Sequence, residues 1–92
     1  MEFKLWYHEE VFRKDIPALS SKWKARIKDA IEDKLLTHPE TFGKPLRRSL
    51  KGYRKLRVAD YRVVFKIEKV QIKIFAILHR SIVYKVVFKR KE

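Results

Sequence analysis

The sequence has no cysteine, and only two glycines, three prolines and three histidines occur among its 92 residues. Without cysteine the chain cannot form disulfide bonds or thiolate metal sites. His8, His38 and His79 are scattered along the chain and lack the spacing of a zinc site. We therefore expect a fold that is stabilised by packing alone, with no metal site and no cofactor.

Long apolar runs are also missing. Nothing approaches the roughly 20 consecutive apolar residues that a membrane-spanning helix needs, and the N-terminus has no apolar segment of the signal-peptide type. We therefore expect a cytoplasmic protein with no membrane partner. The 46% hydrophobic and 13% aromatic content indicates a folded chain, and the length predicts one domain over residues 1–92.

Acidic residues are scarce in the second half of the chain. The formal net charge is +13, from 24 Lys and Arg against 11 Asp and Glu. Residues 1–43 carry eight of each sign, whereas residues 44–92 carry sixteen basic and three acidic residues, so the whole excess lies in the C-terminal half. This excess predicts a polyanionic partner, with a solvated basic face that binds nothing as the alternative.

The N-terminal half predicts one strand and two helices. The segment "EFKLWY" alternates in the manner of a strand, and "HEEVFRKDI" places Val11, Phe12 and Ile16 at helical spacing before a proline. The second helix follows a serine that can cap it, and its apolar residues recur on one stripe. The stripe comprises Leu19, Trp23, Ile27, Ala30, Ile31 and Leu35.

Three further strands, joined by tight turns, are predicted at residues 53–58, 61–67 and 70–78. Because side chains alternate between the two faces of a strand, each strand has an apolar side and a more basic side. In the third strand, strict alternation assigns Val70, Ile72, Ile74, Ala76 and Leu78 to one face and Gln71, Lys73, Phe75 and Ile77 to the other. The sheet is therefore expected to have an apolar face for the helices and a basic face.

These elements together predict an α+β fold, in which two N-terminal helices pack on one face of a small, mostly antiparallel sheet of about four strands. The last segment, "HRSIVYKVVFKRKE", is expected to form a short helix or turn near Arg80, although its β-branched residues also fit a strand. Like charges opposite one another destabilise a sheet. A basic face therefore suggests that a polyanion binds there.

The run "PLRRSLKGYRKLRVADYRVVFKIEKVQIKIFAILHRSIVYK", residues 45–85, has a leucine-rich lead-in, basic residues before a tight turn and a closing "HRSIVY". In this order it resembles the RelE/ParE toxin superfamily, and the two N-terminal helices match that superfamily in order and length. Ala59 is a departure, since the family often has glycine before the aspartate of the turn. The residues that carry the resemblance are Leu46, Leu50, Tyr53, Arg57, Tyr61, Arg62, His79, Arg80 and Tyr84.

The resemblance implies a toxin of a type II toxin–antitoxin system. RelE-like members are ribosome-dependent mRNA endonucleases that keep Arg and Tyr near the C-terminus, whereas ParE-like members act on DNA gyrase and generally lack that arrangement. Arg80 and Tyr84 favour the RelE-like branch; a gyrase inhibitor and a non-catalytic nucleic-acid-binding domain are the alternatives. The implied partners are mRNA in the ribosomal A site, ribosomal RNA and a cognate antitoxin, expected to be acidic and partly disordered.

RNA can be cleaved without a metal ion when its own 2′-hydroxyl attacks the neighbouring phosphate and leaves a 2′,3′-cyclic phosphate. The reaction needs an aligned phosphate, stabilisation of negative charge, and proton transfer from the nucleophile and to the leaving oxygen. Arginine grips phosphate through a planar fork and keeps its charge. Arg62 and Arg80 are therefore predicted to stabilise the transition state, with Arg57 next.

The general base is predicted to be Lys55 or Tyr84, because surrounding cations favour the deprotonated form of either side chain. Tyr84 is alternatively a platform on which an RNA base stacks. His79 is a competing acid or base, although strict alternation places it with Phe75 and Ile77, where a structural role is more common. The residues predicted to bind nucleic acid are Arg54, Lys66, His79, Lys85, Lys89 and Arg90.

Overall fold

The structure, a computed structural model, describes residues 3–91 and contains one mixed sheet. Its strands are β1 (Lys4–Tyr7), β2 (Lys44–Pro45), β3 (Arg54–Val58), β4 (Tyr61–Glu68) and β5 (Gln71–His79). They lie in the order β1-β5-β4-β3-β2, with β1 parallel to β5 and the other pairs antiparallel. The α+β class is confirmed. The sheet has five strands rather than about four, because the two-residue β2 was too short to produce a periodic pattern.

Helical segments precede, interrupt and follow the strands. They are a π-helical turn (Val11–Asp15), α1 (Ser21–Ala30) with its π-helical continuation (Ile31–Leu35), α2 (Pro39–Phe42), a 3-10 turn (Arg48–Leu50) and α3 (Val83–Arg90). The Ser20 side chain accepts a hydrogen bond from the Trp23 backbone N–H at 3.4 Å, which confirms the serine cap. The tail forms a turn and then a helix, so its β-branched residues do not make a strand.

The first core lies between the sheet and the N-terminal helical segments. The predicted stripe of the second helix supplies Leu19, Ile27, Ile31 and Leu35, all buried. Of the apolar residues predicted at helical spacing in the first helix, Val11 is fully buried, whereas Phe12 is 58% exposed. The sheet residues buried in this core are Leu56, Val58, Val63, Phe65, Ile72, Ile74 and Ile77.

The opposite face of the sheet is covered in part by α3, and this corrects the prediction of one open basic face. Val83 and Val87 of α3 are fully buried there. The other members of this second core are Leu50, Tyr53, Val64, Phe75 and Ala76. Basic side chains on this face are therefore confined to the surface that α3 leaves open.

The strict alternation predicted for the last strand is wrong because β5 contains a β-bulge. Phe65 pairs with Ile74, whereas the preceding Val64 pairs with Ala76, so Phe75 is an extra residue in β5. A bulge changes which side chains point to each face of the sheet. The hydrophobic pattern of β5 does not indicate the bulge, because apolar residues lie on both faces of this strand.

Beyond the bulge the assignment of side chains to faces reverses. Ala76 lies with Phe75 in the second core, and Leu78 packs beside them, whereas Ile77 belongs to the first core. Phe75 and Ile77 were predicted to share a face and in fact lie on opposite faces. By alternation within β5, His79 lies on the same face of the sheet as Ile77 and on the opposite face from Phe75.

Two tight turns of the sheet contain a non-glycine residue with positive φ. Ala59 in the β3–β4 turn has φ 54°, and Lys69 in the β4–β5 turn has φ 57°. The left-handed conformation costs about 1–2 kcal/mol for a residue with a Cβ atom. Ala59 therefore occupies a conformation that glycine would adopt with less strain, as the departure from the family pattern suggested.

Candidate nucleic-acid interface

An open depression of about 450 Å³, which we call the main depression, lies beside the turn that joins β5 to α3. It is lined by Lys55, Arg62, His79, Arg80, Ser81 and Tyr84. Five of these six are residues that the sequence predicted to be functional. No acidic residue of the described chain lines the depression, so its charge is strongly positive.

Three elements bring these side chains together. Lys55 comes from the middle of β3 and Arg62 from the start of β4, while Tyr84 lies at the start of α3. The backbone N–H of Arg80 donates to the carbonyl oxygen of Asp60 at 2.8 Å. This bond connects the turn after β5 to the β3–β4 turn. It therefore fixes the position of the Arg80 backbone at the edge of the depression.

The backbone holds the Arg62 guanidinium in place. Its Nη1 donates to the carbonyl oxygens of Ala59 at 2.8 Å and of Tyr61 at 2.9 Å. Because these two bonds use both hydrogens of Nη1, the hydrogens on Nε and Nη2 are the ones available to a bound anion. A guanidinium fixed in this way presents a preorganised fork that matches the geometry of a phosphate.

Lys55 and Tyr84, the two predicted candidates for the general base, are neighbours. The Lys55 Nζ lies over the Tyr84 ring, 5.8 Å from its centroid. Tyr84 is half-buried and packs against the second core, so its ring position is set by the fold. A ligand in the main depression would meet the Lys55 amino group and the Tyr84 ring side by side.

His79 is anchored through one ring nitrogen. The Ser81 backbone N–H donates to the His79 Nδ1 at 3.2 Å, and the Ser81 Oγ lies 2.8 Å from the same nitrogen. The His79 ring also makes an edge contact with Tyr61, with 6.2 Å between the ring centroids. Since Nδ1 is occupied by Ser81, Nε2 is the nitrogen that a ligand can reach.

Arg80 has one acidic neighbour, and both side chains are exposed. Its Nε lies 3.7 Å from the Asp60 Oδ1, and the two side chains are 62% and 72% exposed. An exposed ion pair of this kind contributes about 0–1 kcal/mol. A phosphate group that entered the main depression could therefore replace Asp60 as the partner of Arg80.

A second depression of about 160 Å³, which we call the side depression, adjoins the first. It is lined by Phe42, Lys44, Lys55, Arg57 and Arg62. Arg57 lines this depression rather than the main one, and it stands directly opposite Arg62 in the β3–β4 pair. Lys55 and Arg62 line both depressions, so the two depressions form one continuous cationic surface.

The remaining predicted binding residues lie elsewhere. The Arg54 Nη1 donates to the Gly43 carbonyl oxygen at 2.9 Å and fastens the segment before β2 to β3. Lys66 lies over the Tyr53 ring, 5.5 Å from its centroid. Lys85 and Lys89 are exposed on α3. The structure does not bring these four residues into the main depression.

Arg90 is occupied by a buried carboxylate. Its Nη1 and Nη2 donate to Oδ2 and Oδ1 of Asp15 at 2.8 and 3.0 Å, and Nη1 also donates to the Phe75 carbonyl at 3.0 Å. The Ile77 backbone N–H donates to the same Asp15 at 2.9 Å. The side chains of Asp15 and Arg90 are 1% and 10% exposed, so Arg90 joins α3 to the β-bulge and the N-terminal helical turn.

Three residues of the cationic surface were missed by sequence reasoning. Ser81 anchors His79. A serine two residues after a histidine was the sequence signal that could have indicated this contact. Phe42 and Lys44 line the side depression, but they lie in a segment that the sequence identified only as a connector. A strand of two residues gives no periodicity, so their position beside β3 had no sequence signal.

Residues 3–91 have no group of three or more His, Asp or Glu side chains that could hold a metal ion. No helix within that range is long and apolar enough to span a membrane. Every buried side-chain nitrogen or oxygen that is described has a hydrogen-bond partner. The groups available to a polar ligand therefore lie at the surface.

The sequence is similar to those of known toxins. Residues 9–84 match the profile of a family described as the ParE toxin of type II toxin-antitoxin system, parDE. Over 74 residues the chain is 35% identical to Toxin RelE of Mycobacterium tuberculosis (strain ATCC 25618 / H37Rv), and the match covers 78% of this chain and 76% of that protein.

The fold is shared with solved toxin structures. The toxin–antitoxin complex RelBE2 from Mycobacterium tuberculosis gives a TM-score of 0.79 at 26% identity, covering 87% of this chain and 100% of that chain. A mutant of E. coli toxin RelE in the free state gives 0.77 at 21% identity, covering 100% of both chains. The RelB-RelE antitoxin-toxin complex from Methanococcus jannaschii gives 0.65 at 22% identity, covering 85% and 93%. The last two likenesses concern the fold alone.

Proposed function

This chain belongs to the ParE toxin family of type II toxin–antitoxin systems, and on that premise we propose that it is a RelE-like toxin that cleaves mRNA on the ribosome. The observation that carries the proposal is the convergence of Arg62, Arg80, Lys55 and Tyr84 on the main depression, which no described acidic residue lines. Such a cluster attracts a polyanion. The relative named Toxin RelE supports the RelE-like branch.

In the proposed reaction the 2′-oxygen of one nucleotide forms a bond to the adjacent phosphorus while the bond from phosphorus to the 5′-oxygen breaks. The products are a 2′,3′-cyclic phosphate and a 5′-hydroxyl. Arg62 binds the non-bridging phosphate oxygens through Nε and Nη2, and Arg80 shares the negative charge that grows on them. Because Arg62 and Arg80 balance the charge of the transition state, the reaction needs no metal ion.

Two protons move in this reaction. One leaves the 2′-hydroxyl for Lys55 or Tyr84, which stand side by side in the main depression. The other reaches the leaving 5′-oxygen from the Nε2–H of His79, whose Nδ1 accepts a hydrogen bond from the Ser81 backbone N–H and so carries no proton. Tyr84 is also suited to stack on the base of the bound nucleotide.

A ParE-like inhibitor of DNA gyrase is the second candidate, because the matching family profile is that of the ParE toxin. An inhibitor of this kind binds its target without cutting RNA. The two candidates are separated by measuring supercoiling by gyrase in the presence of the purified chain. Inhibition of supercoiling without cleavage of any message favours the hypothesis of a gyrase inhibitor.

We further propose a cytoplasmic location and a cognate antitoxin that is acidic and partly disordered. Solved relatives are complexes of RelE-type toxins with RelB antitoxins. The excess of sixteen basic over three acidic residues in the C-terminal half is complementary to an acidic segment that folds on binding. Reversal of charge at Arg62 and Arg57 is expected to abolish neutralisation by such a partner.

The proposed activity is tested by primer extension on a message bound to ribosomes. We expect the wild-type chain to produce discrete stops in the message, and Arg62→Ala to reduce the cleavage rate by about 100- to 1,000-fold, as the loss of one preorganised charge donor does in other enzymes. Arg62→Lys keeps the charge without the fork, so its rate should lie between the two.

Arg13→Ala provides the matched control. Arg13 is an arginine of the N-terminal helical turn whose side chain is 65% exposed and pairs with Glu9 and Glu10, so its removal should leave the stops unchanged. Absence of stops with the wild-type chain, or equal cleavage by the wild type and Arg62→Ala, contradicts the proposal.

A further inference from the structure

The side depression combines an exposed aromatic ring with cations. Phe42 is 43% exposed, and Lys44 and Arg57 beside it are exposed as well. Lys34 lies over the Phe42 ring, 5.6 Å from its centroid, but does not line the depression. Phe42 itself lines the depression, and its ring also makes an edge contact with the His38 ring, with 6.4 Å between the centroids. None of the described residues that line it is acidic.

The fold fixes the backbone of the segment that carries Phe42 and Lys44. A Cβ atom on Gly43 would clash with the Phe65 ring and would lie 2.7 Å from the Pro39 carbonyl oxygen, so only glycine lets this segment approach the core. Arg54 binds the Gly43 carbonyl at 2.9 Å, and Lys44 pairs with Lys55 in the β2–β3 ladder. Phe42 and Lys44 flank Gly43, so these contacts also fix their backbone positions.

We propose that the side depression is a binding subsite for the nucleotide adjacent to the scissile phosphate. The base of that nucleotide stacks on Phe42, and its phosphate binds Lys44 and Arg57. The subsite rests on the proposed function, since it extends the site in which that function would take place. It assigns roles to Phe42 and Lys44 that the catalytic chemistry does not use.

Continuity of the two depressions supports this assignment. Lys55 and Arg62 line both, so a strand whose phosphate binds Arg62 in the main depression can place its next nucleotide in the side depression. A basic groove with an aromatic platform is the combination that binds single-stranded nucleic acid. Because every base has an aromatic face to stack, the subsite should accept any base at this nucleotide.

The subsite is tested with short single-stranded RNAs of two, three and four nucleotides that carry 2′-O-methyl groups, so that they cannot be cut by 2′-hydroxyl attack. Dissociation constants are measured by fluorescence anisotropy of labelled RNA at about 0.15 M salt, near physiological ionic strength. For the wild type we expect binding to tighten as the added nucleotide reaches Phe42. Phe42→Ala should weaken binding of the longest RNA by about 5- to 150-fold and that of the shortest RNA little.

Phe42→Trp should preserve the length dependence, whereas Phe42→Leu, which keeps apolar volume without an aromatic face, should lose it. Phe12→Ala is the matched control, because Phe12 is an exposed phenylalanine of the N-terminal helical turn and contacts Tyr7. Lys44→Ala should lower the dependence of log affinity on log salt by about 0.7, the value for one phosphate contact on a single strand.

The subsite is overturned if Phe42→Ala or Phe42→Leu binds every RNA as the wild type does, or if the wild type shows no length dependence. Failure of the subsite and failure of the proposed function give different results. Cleavage of a ribosome-bound message with no effect of Phe42→Ala on binding rejects the subsite alone. Length-dependent binding through Phe42 without any cleavage rejects the catalytic proposal alone.

Discussion

Arginines near the two ends of α3 have opposite environments. Arg90, in the last turn of the helix, is bound by the Asp15 carboxylate, which is 1% exposed. Arg62 and Arg80 lie near the first turn, and their nearest partners are backbone carbonyls and the exposed Asp60. Within residues 3–91, Arg90 has a buried acid as its partner, whereas Arg62 and Arg80 have none.

This difference shows which positive charges serve the fold and which are available to a ligand. A buried cation needs a paired anion, because its desolvation is otherwise uncompensated. A surface cluster has no such requirement, and its mutual repulsion lowers stability unless an anion binds. The excess of basic residues in the second half of the chain therefore contains both residues with an internal partner and residues that are open to a ligand, and only their partners distinguish them.

The largest effect is expected from breaking the buried pair. Asp15→Asn leaves the Arg90 guanidinium buried without a negative partner, and removal of one member of such a pair typically lowers the free energy of unfolding by about 3–5 kcal/mol. Urea denaturation followed by circular dichroism measures the loss. The double variant Asp15→Leu with Arg90→Met removes both charges and should recover part of it. A loss below about 1 kcal/mol for Asp15→Asn would show that the pair is not structural.

A smaller effect is expected at the turn beside the main depression. Ala59→Gly removes the backbone strain of a left-handed residue with a Cβ atom, which is about 1–2 kcal/mol. Glycine is also more flexible in the unfolded chain, and this offsets part of the gain. The free energy of unfolding should therefore rise by roughly 0.5–1 kcal/mol. Lys69→Gly, at the equivalent position of the β4–β5 turn, is the control and should show a similar gain. Destabilisation at Ala59 alone would indicate that the methyl group supports the Arg62 site.

The smallest effect concerns the like charges of the β3–β4 pair. Arg57 stands opposite Arg62, and such pairs destabilise a sheet by a few tenths of a kcal/mol. Arg57→Ala should therefore stabilise the protein slightly at low salt while weakening RNA binding. The gain should fade near 1 M salt, where the Debye length is about 3 Å. A loss of stability at low salt would place Arg57 in the same class as Arg90.

Periodic features of the fold were predictable from the sequence. The apolar stripe along α1 and its π-helical continuation and the alternation in β4 follow from repeating apolar positions, and the structure confirms both. The β-bulge at Phe75 was not predictable, because apolar residues on both sides of it mask the change of face. The pairing of Asp15 with Arg90 joins residues 75 positions apart, and no local pattern indicates it.

The candidate site was predictable where charge and motif coincide. Arg62, Arg80 and Tyr84 were identified from the basic strands and the closing segment of the resemblance, and the fold brings them together. Arg54 and Arg90 were selected by charge alone, and their guanidinium groups are instead bound to the Gly43 carbonyl and to the Asp15 carboxylate. Charge in a sequence does not reveal which cation has an internal partner.

The nature of the cleaved ends tests the central claim most directly. A ribosome-bound message cut by the wild-type chain is expected to carry a 2′,3′-cyclic phosphate on the upstream fragment and a 5′-hydroxyl on the downstream fragment. A message with a single 2′-deoxynucleotide at the scissile position should resist cleavage there. Fragments with a 3′-hydroxyl and a 5′-phosphate, or unchanged cutting of the deoxy-substituted message, would contradict 2′-hydroxyl attack in the main depression.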